Sequence, residues 1–267
     1  NVCNEAALVA ARNGHESVNK QDFLDAVDRI IGGLEQKNKA IKPSEKRRVA
    51  FHEAGHATIS WLVEHAAPLL KVTIVPRGRS LGAAWYLPEE RQLTTTEQMQ
   101  DEICATLGGR AAEQVVFGNI STGALSDLER VTKQAQAMVT IYGLNEKVGN
   151  ISYYDSSGQS EYSFGKPYSE QTAKVIDEEI SNIVETQYKR AIQILNDNRD
   201  KLDALAQKLL DKEVIFREDL ELIFGKRAWD PELTEQPVSN SEAALAEEQP
   251  ASEEEAITPE NTTNTEV

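Results

Sequence analysis

The chain has 267 residues, 40% of them hydrophobic, which is enough for one or two domains with a proper core. Its formal charge of −16 is unevenly spread: residues 230–267 hold eleven Asp and Glu and no Lys or Arg, so the rest carries only −5. No clustered Lys and Arg surface suited to phosphate stands out, which excludes a nucleic-acid partner. Cys3 and Cys104 form no CxxC pair, so neither a disulfide framework nor a cysteine metal cage is expected, and a reducing compartment fits best. No run of about 18 apolar residues exists, so a soluble chain is expected, and a start at Asn1 rather than Met suggests a piece of something longer.

In chain order, residues 4–13 and 21–35 read as two helices, the second opened by Asn19 with Asp22 as a capping pair and weakened by Gly32 and Gly33. The basic stretch Lys37–Arg48, with Pro43, contains the expected boundary between domains at 1–42 and 43–229. Residues 44–64 form the strongest helix candidate. Beyond Pro68 the pattern alternates, with Val72 and Ile74 against Lys71 and Thr73 and a second run from Leu81 to Leu87, which predicts a hairpin or two short strands. Thr94 with Glu97 predicts a capped helix through about Phe117, and another is expected from Gly123 to Tyr142, stopping at Gly143. Residues 144–168 read as loop with at most one strand. Residues 169–195 carry one apolar stripe, including Ala173, Ile176, Ile180, Ile183 and Ala191, and helix continues over 199–225. The tail at 230–267, rich in Glu, Thr, Ser, Asn and Pro, is expected to be disordered.

The chemistry concentrates in His52-Glu53-Ala54-Gly55-His56. On a helix, histidines four apart share one face one turn apart, the geometry two ligands of one ion need, and Glu53 falls beside the ion. A catalytic Zn²⁺ takes three protein ligands and leaves one open position, where water reaches a pKa of about 7. Glu53 would accept that water's proton and pass it to the leaving nitrogen. A helix that merely carries two histidines is the bland alternative. Against it, Phe51, Ala54, Ala57, Ile59 and Trp61 make a partly desolvated surrounding. Gly55 costs about 1 kcal/mol relative to Ala inside a helix, which makes sense where a backbone or substrate must approach closely. His65 projects to the opposite side of a continuous helix and reads as a surface residue, as does His15.

With no third histidine left, a carboxylate must complete the site. Asp127 lies within the apolar stripe 124, 128, 131, 135 and 138, where an unpaired carboxylate is expensive. A helix cap or ion pair would also explain it. Glu113 competes for the third position, although pairing with Arg110 or orienting a ligand histidine explains it equally well.

The runs FHEAGHA (51–57), KVTIVPRGRSLG (71–82), YLPEE (86–90), TLGGRAAE (106–113), STGALSDL (121–128) and GLNEKVG (143–149) together are far more specific than HExxH. On them, residues from about Pro43 to Trp229 resemble the peptidase domain of the FtsH and m-AAA family of membrane-anchored, ATP-dependent AAA+ zinc proteases. The resemblance implies His52, His56 and Asp127 as zinc ligands, one zinc per chain, and Glu53 as the base. It departs from the family at Gln114, where a second Glu is frequent. Residues 1–35 resemble the end of the AAA+ helical lid; the ATP-binding residues of such proteins lie upstream, so this chain alone is not expected to hydrolyse ATP.

The fold class so implied is mainly α with a small β element, a helical zinc-peptidase domain preceded by the end of the lid. The expected function is zinc-dependent cleavage of unfolded or membrane-extracted polypeptides by a homohexamer. An upstream segment would hold it in the bacterial inner membrane with this domain cytoplasmic, or in the mitochondrial inner membrane. The rival is a noncatalytic scaffold that assembles the ring, with a vestigial HExxH helix. Residues 81–87, rich in small side chains, are further expected to offer an edge strand to which extended substrate adds by main-chain hydrogen bonds, the alternative being a strand that merely pairs within the fold with Gly82 serving a turn.

Overall fold

A computed structural model describes residues 1–33, 41–76, 81–86, 92–154 and 167–229. The expected tail at 230–267, residues 155–166 of the expected loop, the linker 34–40 with the end of the helix expected to reach 35, and residues 77–80 and 87–91 around the expected second strand lie outside the described residues.

The first two helices, α1 (Val2–Asn13) and α2 (Lys20–Gly32), pack on each other around Ala6, Val9 and Ala26. Asn19 caps α2 as its sequence suggested: its side chain accepts from the Asp22 N–H while the Asp22 carboxylate accepts from the Asn19 N–H. His15 is drawn into this cap, with Nδ1 2.9 Å from Asp22 Oδ1.

The main body is organised around α3 (Pro43–Leu62), in which every residue from Ala50 to Trp61 is buried. A helix covered on all sides cannot rely on an amphipathic stripe, and small residues let neighbours approach instead. A Cβ on Gly55 would meet Gly108 O at 2.3 Å and Ala112 Cβ at 2.6 Å, so the backbones of α3 and α5 (Gly108–Phe117) touch there. That identifies the close approach for which Gly55 is needed. The C-terminal end of α3 is closed by Arg227, whose Nη2 donates to the carbonyls of Val63, Glu64 and Ala66 at 3.1, 3.3 and 2.6 Å.

Beside α3 lies a three-stranded antiparallel sheet in the order β2-β1-β3, formed by β1 (Leu69–Thr73), β2 (Ala83–Tyr86) and β3 (Val214–Phe216). Val72 stands opposite Ala84 on one side and Ile215 on the other, and all three turn towards the main core. The expected hairpin partners are therefore paired, and β2 forms one edge. The continuous helix expected over 199–225 is interrupted. Here α8 (Arg199–Lys212) stops at Glu213 in the left-handed region (φ 60°), and α9 (Arg217–Phe224) begins only after β3. Val214, Ile215 and Phe216 are β-formers, and pairing with β1 overrides the flanking helical pattern.

Two further expectations are corrected. The helix after residue 92 is capped by Thr95 with Gln98, not Thr94 with Glu97: the Thr95 hydroxyl accepts from Gln98 N, and Gln98 Oε1 accepts from Thr95 N. That helix also divides at Leu107 into α4 (Thr96–Thr106) and α5 (Gly108–Phe117), and Gly108 and Gly109 at the start of α5 permit close approaches to Gly55 and His52. A 3₁₀ turn at Thr122–Ala124 then leads into α6 (Leu125–Thr140), and Gly143 turns the chain at φ 63°. The long α7 (Glu170–Asp197) covers α4 and α6 with the expected stripe, Ile180, Ile183 and Val184 meeting Met99, Ile103, Leu107, Val131 and Met138. No described helix is long and apolar enough to cross a membrane.

Candidate metal centre

The two motif histidines lie on the buried face of α3 with ring centroids 4.8 Å apart. Each uses Nδ1 to bond away from its neighbour. His56 Nδ1 is 3.0 Å from Ala105 O, and a carbonyl only accepts, so this nitrogen carries the hydrogen. His52 Nδ1 is likewise 3.0 Å from Glu113 Oε1. Both rings therefore present Nε2 to a common point, the tautomer a metal-binding imidazole needs.

Asp127, in the first turn of α6, completes that point: its Oδ2 lies 3.2 Å from His52 Nε2 and 3.6 Å from His56 Nε2. Among the described residues this is the one group of three ligand-type side chains gathered within 4.8 Å. Donors around a tetrahedral zinc at about 2.0–2.1 Å stand about 3.3 Å apart, so the set fits such an ion. Two imidazoles and a carboxylate also match its preference for mixed nitrogen and oxygen ligands.

Glu113 lies behind the His52 ring rather than at the common point. Its carboxylate is buried and fully engaged: Oε1 accepts from His52 and, at 3.0 Å, from the Ser121 hydroxyl, and Oε2 accepts from Arg48 at 3.0 Å. Glu113 forms this ion pair with Arg48, where the sequence had suggested Arg110. Burial alone would raise the Glu113 pKa, but hydrogen bonds from His52, Ser121 and Arg48 outweigh it and bring it down to about 2. At Asp127, too, burial opposes ionisation and is outweighed by hydrogen bonds from His52 and His56, which hold the carboxyl below its usual range. Burial disfavours charge on His52, yet the carboxylates of Asp127 and Glu113 raise its pKa to about 10. A position this favourable to positive charge suits a dication equally well.

Glu53 is buried beside the cluster, and desolvation raises its pKa despite the two histidines that lower it. A carboxylate so placed is a stronger proton acceptor than one in water. Two glycines make the room. A Cβ at Gly82 would meet Glu53 Cγ and Oε1 at 2.7 Å, and one at Gly109 would meet His52 Nε2 at 2.4 Å. Tyr86, at the end of β2, lies 3.2 Å through its hydroxyl from Ser60 Oγ, two turns along α3 from His52, so the edge strand is tied to the ligand helix.

His65 lies past the end of α3, so the helical angle that assigned it to the opposite face does not apply. It is half-buried, and its backbone N–H donates to Asp101 Oδ2 at 3.0 Å, away from the cluster. Gln114 is exposed on α5. Arg48, Ser121, Gly82 and Gly109 are site residues the sequence reading passed over. Their available signals were the four-residue spacing of Arg48 from His52 and the paired glycines 108–109.

A mainly helical body with an HExxH helix and a carboxylate from a second helix defines a class, that of zinc-type metallopeptidases. Residues 39–223 match the model of Peptidase family M41. The chain belongs to that family. It is 65% identical over 229 residues to the ATP-dependent zinc metalloprotease FtsH of Parabacteroides distasonis, covering 86% of this chain and 33% of that protein. It is 59% identical over 219 residues to the protein of that name from Karelsulcia muelleri, covering 82% and 35%. With a mitochondrial inner membrane m-AAA protease component of Mus musculus, identity is 45% over 248 residues, covering 93% and 31%. The chain thus spans about a third of the length of these relatives.

Proposed function

We propose that this chain is the proteolytic part of an ATP-dependent protease, cleaving peptide bonds of unfolded and membrane-extracted polypeptides with zinc held by His52, His56 and Asp127. The observation that carries the reading is the convergence of His52 Nε2, His56 Nε2 and Asp127 Oδ2, with the Glu53 carboxylate alongside. Held by these three side chains, zinc would supply Lewis acidity, by which a carbonyl is polarised and bound water reaches a pKa of about 7. Glu53 takes the proton of the attacking water and returns it to the departing amide nitrogen, so that neither a free hydroxide nor an amide anion is released. Glu113 holds the His52 ring with its hydrogen on Nδ1. Gly82 keeps the start of β2 clear of Glu53, and the substrate backbone lies along that edge.

The remainder is what the resemblance to the FtsH and m-AAA family implies. Residues 1–42 form the end of an AAA+ lid and the linker to a peptidase domain at 43–229. ATP is used by an upstream module that pulls substrate into a ring of six. A membrane segment of the full-length protein anchors it in a bacterial inner membrane, with this domain on the cytoplasmic side.

The test is Glu53→Gln, which removes the proton acceptor and no ligand. The variant is expected to keep about one zinc per chain, measured by atomic emission, while chelator-sensitive cleavage of an unfolded protein disappears. More than a few per cent of the parent activity would overturn the role of Glu53. A parent chain without zinc would overturn the whole reading in favour of a scaffold.

A further inference from the structure

We infer that Arg48 is a positioning residue of this metal centre, a clamp that joins the two arms carrying its ligands. The inference rests on the assignment of His52 and Asp127 as zinc ligands and adds a residue that touches neither the ion nor substrate.

Arg48 lies one helical turn before His52, on the same face of α3. Its guanidinium forks. Nη1 donates to Glu113 Oε2 at 3.0 Å and to Asn119 O at 3.2 Å, and Nη2 donates to Asn119 Oδ1 at 2.7 Å. Its plane is held over the Phe117 ring, 4.6 Å from the centroid. The first bond fixes Glu113, which is 1% exposed and whose other oxygen receives His52 Nδ1 and Ser121 Oγ. The bonds to Asn119 fix the loop between α5 and the 3₁₀ turn, the segment that delivers Ser121 and then Asp127. One side chain therefore spans from the helix of His52 and His56 to the approach of the third ligand.

Without Arg48, Glu113 keeps its bonds on Oε1 but has an unpaired buried oxygen, and its carboxylate loses the constraint on rotation about its last bond. The His52 ring, oriented by that carboxylate, loses its fixed direction. Partners behind a metal-ligand histidine typically change metal affinity by about 10–100-fold. A Lys at this position delivers charge to one acceptor and does not reproduce the fork. An arginine that only secured the turn after α5 would affect unfolding and leave zinc affinity alone.

The test uses the 267-residue chain and zinc itself, with affinity read by competition against a chromophoric chelator. Arg48→Met is expected to weaken zinc binding by about 10-fold or more, and Arg48→Lys by less. Cleavage lost by either variant should return as free zinc is raised, with KM for a peptide unchanged. Because Arg48 acts through Glu113, adding Arg48→Met to Glu113→Gln should weaken binding by less than about 3-fold further. Parent-like affinity in Arg48→Lys together with parent-like affinity in Arg48→Met overturns the inference, as does a double variant in which the two losses multiply in full. If Arg48→Met does not fold, Arg48→Lys alone decides, and parent-like affinity there overturns it. A parent chain that binds no zinc fails the ligand assignment instead, so the two failures are distinct.

Discussion

Asp127 and Glu113 meet opposite edges of the same imidazole, and that difference separates the proposed ligand from the proposed orienting group. Asp127 Oδ2 faces the Nε2 atoms, whereas Glu113 Oε1 faces His52 Nδ1. Asp127→Asn removes the charge of the proposed third ligand and is expected to lower zinc content and cleavage together. Glu113→Gln leaves all three ligand atoms in place, so it should still reach one zinc per chain at saturation, with affinity reduced about 10–100-fold. Zinc titration of both variants checks this, and full-affinity binding by the Asp127 variant would move the third ligand elsewhere. The HExxH spacing made His52, Glu53 and His56 legible because helical periodicity alone puts the histidines on one face. The stripe argument reached Asp127 because a carboxylate on an apolar face needs a partner. It left Glu113 open because spacing along a chain does not say which ring nitrogen a distant carboxylate will meet. Arg48 was hidden for the same reason: its partners, Glu113 and Asn119, come from 65 and 71 residues away.

At the scale of elements, the centre depends on how closely α5 lies against α3. Gly55 touches the Gly108 backbone and Gly109 lies under His52, so the Gly-Gly step that divides α4 from α5 also brings α5, with Glu113, up to the ligand helix. Two effects compete in Gly55→Ala. Helix propensity favours Ala by about 1 kcal/mol. The added Cβ meets a backbone carbonyl oxygen at 2.3 Å, which no rotamer change relieves, and forced overpacking typically costs about 1–3 kcal/mol. The clash should dominate, giving a lower melting temperature and weaker zinc binding because Glu113 moves with α5. A variant more stable than the parent in thermal unfolding would show that the helices part freely. The sequence exposed the penalty at Gly55 but not the neighbour that justifies it. Nor did it separate β3 from the helices around it, because a three-residue strand acquires its identity from pairing with β1.

For the molecule as a whole, the proposed cleavage of unfolded chains requires that substrate be held while side chains are nearly ignored, and main-chain pairing to a sheet edge does this. The strand order leaves β2 with β1 as its one neighbour among the described strands. Gly82, the residue before β2, abuts the Glu53 side chain, so a polypeptide extending this edge would run past the proposed general base. Ala83 and Ala84 offer a direct test, since successive backbone N–H groups of a strand alternate sides. One of the two points towards β1 and the other away from it. Proline at the inward position removes a ladder bond and should lower stability. At the outward position it removes a donor used only by substrate, with little change in bulk. One of Ala83→Pro and Ala84→Pro is therefore expected to keep zinc and fold while KM for an unfolded substrate rises several-fold, and the other to lose stability first. Zinc content, thermal unfolding and KM measured on both variants distinguish the cases, and an unaltered KM in two folded, zinc-loaded variants would place the substrate on another surface.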